Sequence, residues 1–246
     1  MIEQDASDAK EMEKAVIKKV MGRLIPLLGV LYLFNMLDRT NVSVAKLTMQ
    51  PSLHFTDSIY GLGFGIFYIG YFLLEVPSNL IMERVGASRW IARIMISWGA
   101  ISAATMYVHT PMQFYSMRFL LGLAEAGFFP GIVLYITYWI PASARAQVMA
   151  RFLAWTAILG LIGFPLNWAL LKLNGFWGLA GWQWLFLMEG IPSILLGIAV
   201  IKAPSGYACA CHLAFAGRKI MDCWNDLARS KEPSACAAHV VSSSAN

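Results

Sequence analysis

The sequence predicts an all-α membrane protein with six membrane-spanning helices, on three observations. Of 246 residues, 58% are hydrophobic and only 13% charged, where a soluble domain has roughly 45–50% apolar and about 25% charged residues. The charges are also uneven: residues 1–23 carry ten, residues 24–202 only sixteen and residues 203–246 seven. Finally, the charge-poor part divides into six apolar runs of the ~20-residue length that crosses a bilayer. This pattern excludes a soluble globular enzyme, a disordered chain and a nucleic-acid binder. The net charge of +5 is scattered between apolar runs, not gathered in one patch.

Three parts follow. Residues 1–23 hold five charges of each sign and no apolar core, so they are no signal peptide; Glu11 to Val20 reads as a short amphipathic helix at the membrane surface or, equally, as part of a flexible cytosolic tail. Residues 24–202 hold the spans, near 24–45, 59–81, 90–108, 112–138, 147–170 and 183–201. The connections carry turn and breaker residues at Gln50-Pro51, Val85-Gly86, Thr110-Pro111, Ile140-Pro141 and Asn174-Gly175. Residues 203–246 contain all four cysteines and no apolar periodicity. Cys209, Cys211, His212, Cys223, Cys236 and His239 fit no zinc spacing, so no metal site is expected.

Orientation follows from Lys and Arg. With the N-terminus inside, Lys10, Lys14, Lys18, Lys19, Arg23, Arg84, Arg89, Arg93, Arg145, Arg151 and Lys202 lie on the inner side, and Lys46 and Lys172 on the outer side. Both ends are therefore expected in the cytoplasm and the chain in the cell inner (plasma) membrane. Trp177, Trp182 and Trp184 are expected to form an aromatic belt at the outer interface.

Four ionisable residues fall well inside spans: Asp38, Arg39, Arg118 and Glu125. Each charge at bilayer depth costs at least ~2.5–3.5 kcal/mol. Counting 1.5 Å per residue, Asp38 and Arg118 both lie ~9 Å from the outer face, so these two are expected to pair. Arg118 and Glu125 are seven residues apart and share a helix face, with Glu125 near the midplane. A buried carboxylate can hold a proton near neutral pH, and a fixed guanidinium can bind a carboxylate in a two-pronged pair. Together they make the minimum equipment for proton-coupled anion transport.

Weaker candidates surround them. Tyr71 falls near the midplane of the second span, Asn35 lies one turn before Arg39, and Asn167 sits in the fifth span. Glu75 lies near the inner face, where a structural role suffices. Gly61-x-x-x-Gly65 and Gly127-x-x-x-Gly131 read as close helix contacts. Pro130 is expected to kink the fourth span, and the Gly160–Pro165 stretch the fifth. His54 and His109 fall in outer loops, and neither His-Glu-x-x-His nor Gly-x-Ser-x-Gly occurs, so no enzyme is expected.

Four stretches carry a family resemblance: Leu37-Asp38-Arg39-Thr40-Asn41; Gly70 through Glu75 to Asn79; Glu83-Arg84-Val85-Gly86; and Arg118 through Gly122 and Glu125 to Pro130. Over about residues 20–202 the chain resembles the anion–cation symporter branch of the major facilitator superfamily, nearest the tartrate and aromatic-acid permease type. The resemblance implies the N-terminal half of a fold with twelve helices in two six-helix halves and the path between them. It implies that Asp38 and Glu125 carry protons, that Arg39 meets the substrate carboxylate and that Arg118 is the pairing arginine. Tyr71 and Asn35 are added as substrate-binding candidates. Glu83, Arg84, Gly86 and Arg89 would form the gating loop. That signature usually opens with glycine, and Asn79 stands there instead.

The expected function is transport of small organic anions (tartrate-like, sugar-acid or aromatic carboxylates) by proton-coupled symport. H+ is the expected coupling ion in preference to Na+, and no other cofactor is expected. The expected partners are the carboxylate substrate and the lipid bilayer, with a C-terminal half or a second copy to complete the path and no nucleic acid. The resemblance stops after Lys202, and a reading-frame change near residue 203 accounts for the altered composition. An inactive fragment, or a six-helix unit that must dimerise, is the alternative reading.

Overall fold

A computed structural model describes residues 2–140 and 142–202. All regular structure among them is helical. The helices are α1 (Ile2–Leu53), α2 (Asp57–Val85), α3 (Ala87–Ala104), α4 (Pro111–Glu125), α5 (Phe128–Trp139), α6 (Ala142–Leu153), α7 (Trp155–Leu171) and α8 (Gly181–Lys202). Every expected span falls on one helix or a consecutive pair. Among the described residues, four stretches are long and apolar enough to cross a membrane by length and composition: Asp57–Val85, Pro111–Leu134, Ala144–Leu171 and Gly181–Ile201.

Some boundaries differ from expectation. Helix α1 runs without interruption through residue 24 and eight residues past 45, with Pro26 and Pro51 inside it. Gln50-Pro51 is therefore not a connection; the chain leaves the helix at His54, whose φ is 55°. The fourth span does break, but at Ala126-Gly127 rather than at Pro130. Gly127 adopts φ 85°, in the left-handed region that glycine occupies without steric cost. Pro130 falls in the first turn of α5, where its missing N–H costs no hydrogen bond. The fifth span is interrupted at Ala154, between α6 and α7, while the helix runs on through Pro165.

Packing explains which glycines matter. α2 lies along α4 and α3 along α8, while α1 is flanked by α6, α7 and α8. On α2, Gly63, Phe67, Gly70 and Tyr71 are buried and form one face. Gly61 and Gly65 are two positions from Gly63, hence about 200° around the helix. A methyl at either would meet open space, so this pair makes no close contact with the described residues. Gly127 and Gly131 do: a methyl at Gly131 would stand 2.9 Å from Met82 Sδ, and one at Gly127 would strike Ser78.

Two apolar clusters fill the bundle. One contains Leu28, Leu31, Tyr32, Trp98, Phe128 and Phe152. The other contains Val42, Met49, Phe55, Phe114, Trp182 and Phe186. On α1 the buried members of the first end at Tyr32 and those of the second begin at Val42, and the polar residues Asn35, Asp38, Arg39, Thr40 and Asn41 lie between them. The expected tryptophan belt is only partly present. Trp177 is 82% exposed, whereas Trp182 and Trp184 are core residues; the indole N–H of Trp184 donates to the Phe176 carbonyl at 3.3 Å. The chain turns ahead of α8 at Gly175 and Gly178, with φ 87° and 73°.

The start of α4 is held by a reciprocal cap. The Thr110 hydroxyl accepts from the Gln113 N–H (3.3 Å), and Gln113 Oε1 accepts from the Thr110 N–H (3.2 Å) and the His109 N–H (2.9 Å). Thr110→Ala is expected to cost about 1 kcal/mol, read as a lower denaturation midpoint in detergent. An unchanged midpoint would count against this cap. The cysteines and the expected boundary at residue 203 lie outside the described residues, as do the side chains of Glu11 to Val20.

Candidate functional site

The polar layer is built on α1 and completed by α2, α3 and α4. Arg39 Nε donates to Glu125 Oε2 at 2.8 Å, an ion pair in which Glu125 is fully buried and the Arg39 side chain 21% exposed. Asp38, one residue earlier and about 100° away around α1, accepts instead from the Ser102 hydroxyl of α3. Arg118 is 2% exposed. Its guanidinium carbon lies 4.6 Å from the ring centre of Phe67 and 5.6 Å from that of Phe64. Arg39 sits 4.8 Å from the Tyr71 ring centre and 5.6 Å from Phe67. Phe67 is thus flanked by both guanidiniums, a contact worth ~2 kcal/mol or more where desolvated.

The expected Asp38–Arg118 pair is corrected to Arg39–Glu125, and the reason is one of register. The count that levelled Asp38 with Arg118 ended the first span at residue 45, whereas α1 ends at Leu53. Leu53 and the start of α4 belong to the same end of the bundle, where the Phe55 and Phe114 rings lie 6.0 Å apart. Arg39 is fourteen residues from Leu53 and Glu125 fourteen from Pro111, about 21 Å in each case, so these two are level. Arg118 lies two turns nearer that end, and its field reaches both Asp38 and Glu125.

Several atoms of the layer are buried with no hydrogen-bond partner among the described residues: Asp38 Oδ2, Arg39 Nη2, Arg118 Nε and Nη1, Glu125 Oε1 and both amide atoms of Asn35. Buried polar atoms are ordinarily satisfied, so this set of guanidinium and carboxylate atoms marks the layer as the candidate site. The gating-loop candidates are elsewhere. Glu83, Arg84 and Arg89 are exposed at the α2–α3 junction, where Gly86 turns the chain at φ 102°. Asn79 donates to the Glu75 carbonyl at 2.9 Å within its own helix.

Sequence reasoning missed four contributors. Glu189 on α8 is 2% exposed and accepts from Asn41 Nδ2; Asn41 Oδ1 in turn accepts from Asn167 Nδ2 at 2.9 Å. A carboxylate eight residues into an apolar span was visible by the same rule that picked out Glu125. Asn41 lay in a quoted motif without a role. Ser102 and Phe67 carry no signal a sequence reader could separate from an ordinary helix.

An all-helical bundle with apolar spans and an ion-paired interior defines a polytopic membrane protein. The chain belongs to the Major Facilitator Superfamily, whose family model matches residues 28–208. It is 49% identical over 191 residues to a protein of Agrobacterium vitis named "Putative tartrate transporter", covering 78% of this chain and 44% of that one. It is 51% identical over 198 residues to "Putative metabolite transport protein NicT" of Pseudomonas putida, covering 80% and 45%. Among solved structures, a bacterial homologue of the human lysosomal transporter Spinster, inward-facing and occupied, matches with a TM-score of 0.66 at 20% identity, over 74% of this chain and 43% of that one. The chain spans about half the length of the curated relatives it matches.

Proposed function

We propose that this chain forms half of a proton-coupled symporter of small organic carboxylates, of the tartrate, sugar-acid or aromatic-acid kind. The observation that carries this reading is the 2.8 Å bond between Arg39 and Glu125 in the interior. A guanidinium held by an internal carboxylate can exchange it for the carboxylate of a solute once the internal one is protonated. Glu125 then gives up Arg39 as it takes a proton, and the incoming anion keeps the cation compensated throughout. Arg118 adds a second guanidinium, Asp38 a second proton acceptor, and Tyr71 and Asn35 an aromatic wall and an amide. H+ serves as coupling ion in preference to Na+. The Lys and Arg distribution supports an inner-membrane location with both ends cytoplasmic.

Uptake of labelled tartrate, and of an aromatic acid, into vesicles with an imposed pH gradient tests the reading. Gradient-driven uptake is expected in the intact protein and is expected to vanish in Asp38→Asn and Glu125→Gln, which hold no exchangeable proton. Uptake unchanged in both variants would refute proton coupling through these residues.

The half-length match to relatives favours a second feature of the same reading: a path that forms only when another six-helix body, a C-terminal half or a second copy, joins this one. Crosslinking that finds only monomer while uptake persists would exclude that requirement.

A further inference from the structure

We propose that Glu189 is a further proton-binding residue of the transport cycle, held beside Asp38 by Asn41 and Asn167. This rests on the proton-coupled reading above and adds a carboxylate on the sixth span to it.

The geometry begins at the crossing of α3 and α8. A methyl at Gly99 would stand 2.7 Å from the Gly190 carbonyl oxygen, and one at Gly190 would stand 2.6 Å from that of Gly99, so the two backbones touch. The neighbour of Gly190, Glu189, reaches α1 and accepts from Asn41 Nδ2. Asn167 donates to the other end of that amide at 2.9 Å, so the NH2 of Asn41 faces the carboxylate. Glu189 Oε1 is buried with no partner among the described residues and is the oxygen left to take a proton.

No compensating cation is at hand among the described residues. α8 is packed by α1, α3, α7 and the turn at Thr105–Tyr107. On α1, Arg39 is bonded to Glu125 and Lys46 to Asp57. On α3, Arg89 is exposed and Arg93 lies over the Trp90 ring. α7 contributes no charged residue; beyond its end, Lys172 lies over Trp168. The charged group that does act on Glu189 is another carboxylate, Asp38. An uncompensated carboxylate is expensive at this depth, and two of like charge resist ionising together. A glutamine would accept the same bond without that cost. Glu189 differs from it only in being able to exchange a proton, taken from water on one side of the membrane and returned to water on the other, with no other bond changed.

Infrared difference spectra of the purified full chain across a pH titration test this directly. Glu189→Gln is expected to lose one protonated-carboxyl C=O band and to shift the pH at which the band lost in Asp38→Asn titrates. A structural role would not cause that shift. With 13C-carboxyl glutamate in the Glu75→Gln/Glu125→Gln variant, an isotope-shifted protonated band is expected to remain at neutral pH, where ordinary solvated carboxyls are ionised, which keeps the test open if Glu189→Gln does not fold. Retention of every band in Glu189→Gln, or no labelled protonated band at neutral pH in the double variant, overturns the proposal. Vesicle uptake that ignores the pH gradient while these bands titrate as expected would instead defeat the symport reading.

Discussion

Replacing Glu125 with leucine is expected to destabilise the chain by about 3 kcal/mol, the lower end of the range for removing one partner of a buried ion pair. The loss comes from Arg39, left as an unpaired cation in the interior, more than from the bond itself. Arg39 retains 21% side-chain exposure, which places the value at the lower end. The double variant Arg39→Met/Glu125→Leu removes both charges and is expected to recover most of the loss. Unfolding by denaturant in detergent micelles measures both. A single variant within about 0.5 kcal/mol of the parent, a change typical of featureless surface sites, would show that the pair does not carry the packing described here.

The second large effect is expected at the crossing of α2 and α4. A methyl at Gly122 would overlap the Phe67 carbonyl and stand 3.0 Å from the Tyr71 N–H nitrogen; one at Gly70 would stand 2.6 Å from the Phe119 carbonyl oxygen. The obstacles are backbone atoms, which cannot turn aside as a side chain can. Gly122→Ala is therefore expected to force the helices apart at about 1–3 kcal/mol. It would also carry Phe67 and Tyr71 away from the guanidiniums they flank, so carboxylate uptake should fall with stability. Gly61→Ala is the control: its methyl meets open space, and alanine in place of a helical glycine is worth roughly 0.5–1 kcal/mol. Equal midpoints for the two variants would contradict the close crossing.

These two cases show why the partners in the site were harder to read than its members. Asp38, Arg39, Arg118 and Glu125 stand out because a charge in an apolar run is conspicuous whatever surrounds it. Their pairing depended on where the first span ends. Placing that end at residue 45 instead of Leu53 moved the register by eight residues, more than two turns, and put Asp38 level with Arg118 instead of Arg39 level with Glu125. Glu189 was equally conspicuous and was passed over. Its tie to Asn41, and that of Asn41 to Asn167, each join residues more than a hundred positions apart in the chain, and no local pattern encodes them.

Hydropathy alone settled the helical, membrane-embedded character of this chain, because a bilayer admits only segments that satisfy their own backbone, and six runs of the right length leave few alternatives. Residue chemistry alone singled out the charged members of its interior. Contact in three dimensions decided which carboxylate meets which guanidinium, which glycines let backbones touch, and where the fourth and fifth spans break. Those outcomes depend on the relative height and rotation of helices, and a shift of a few residues in one terminus changes every partner along its length.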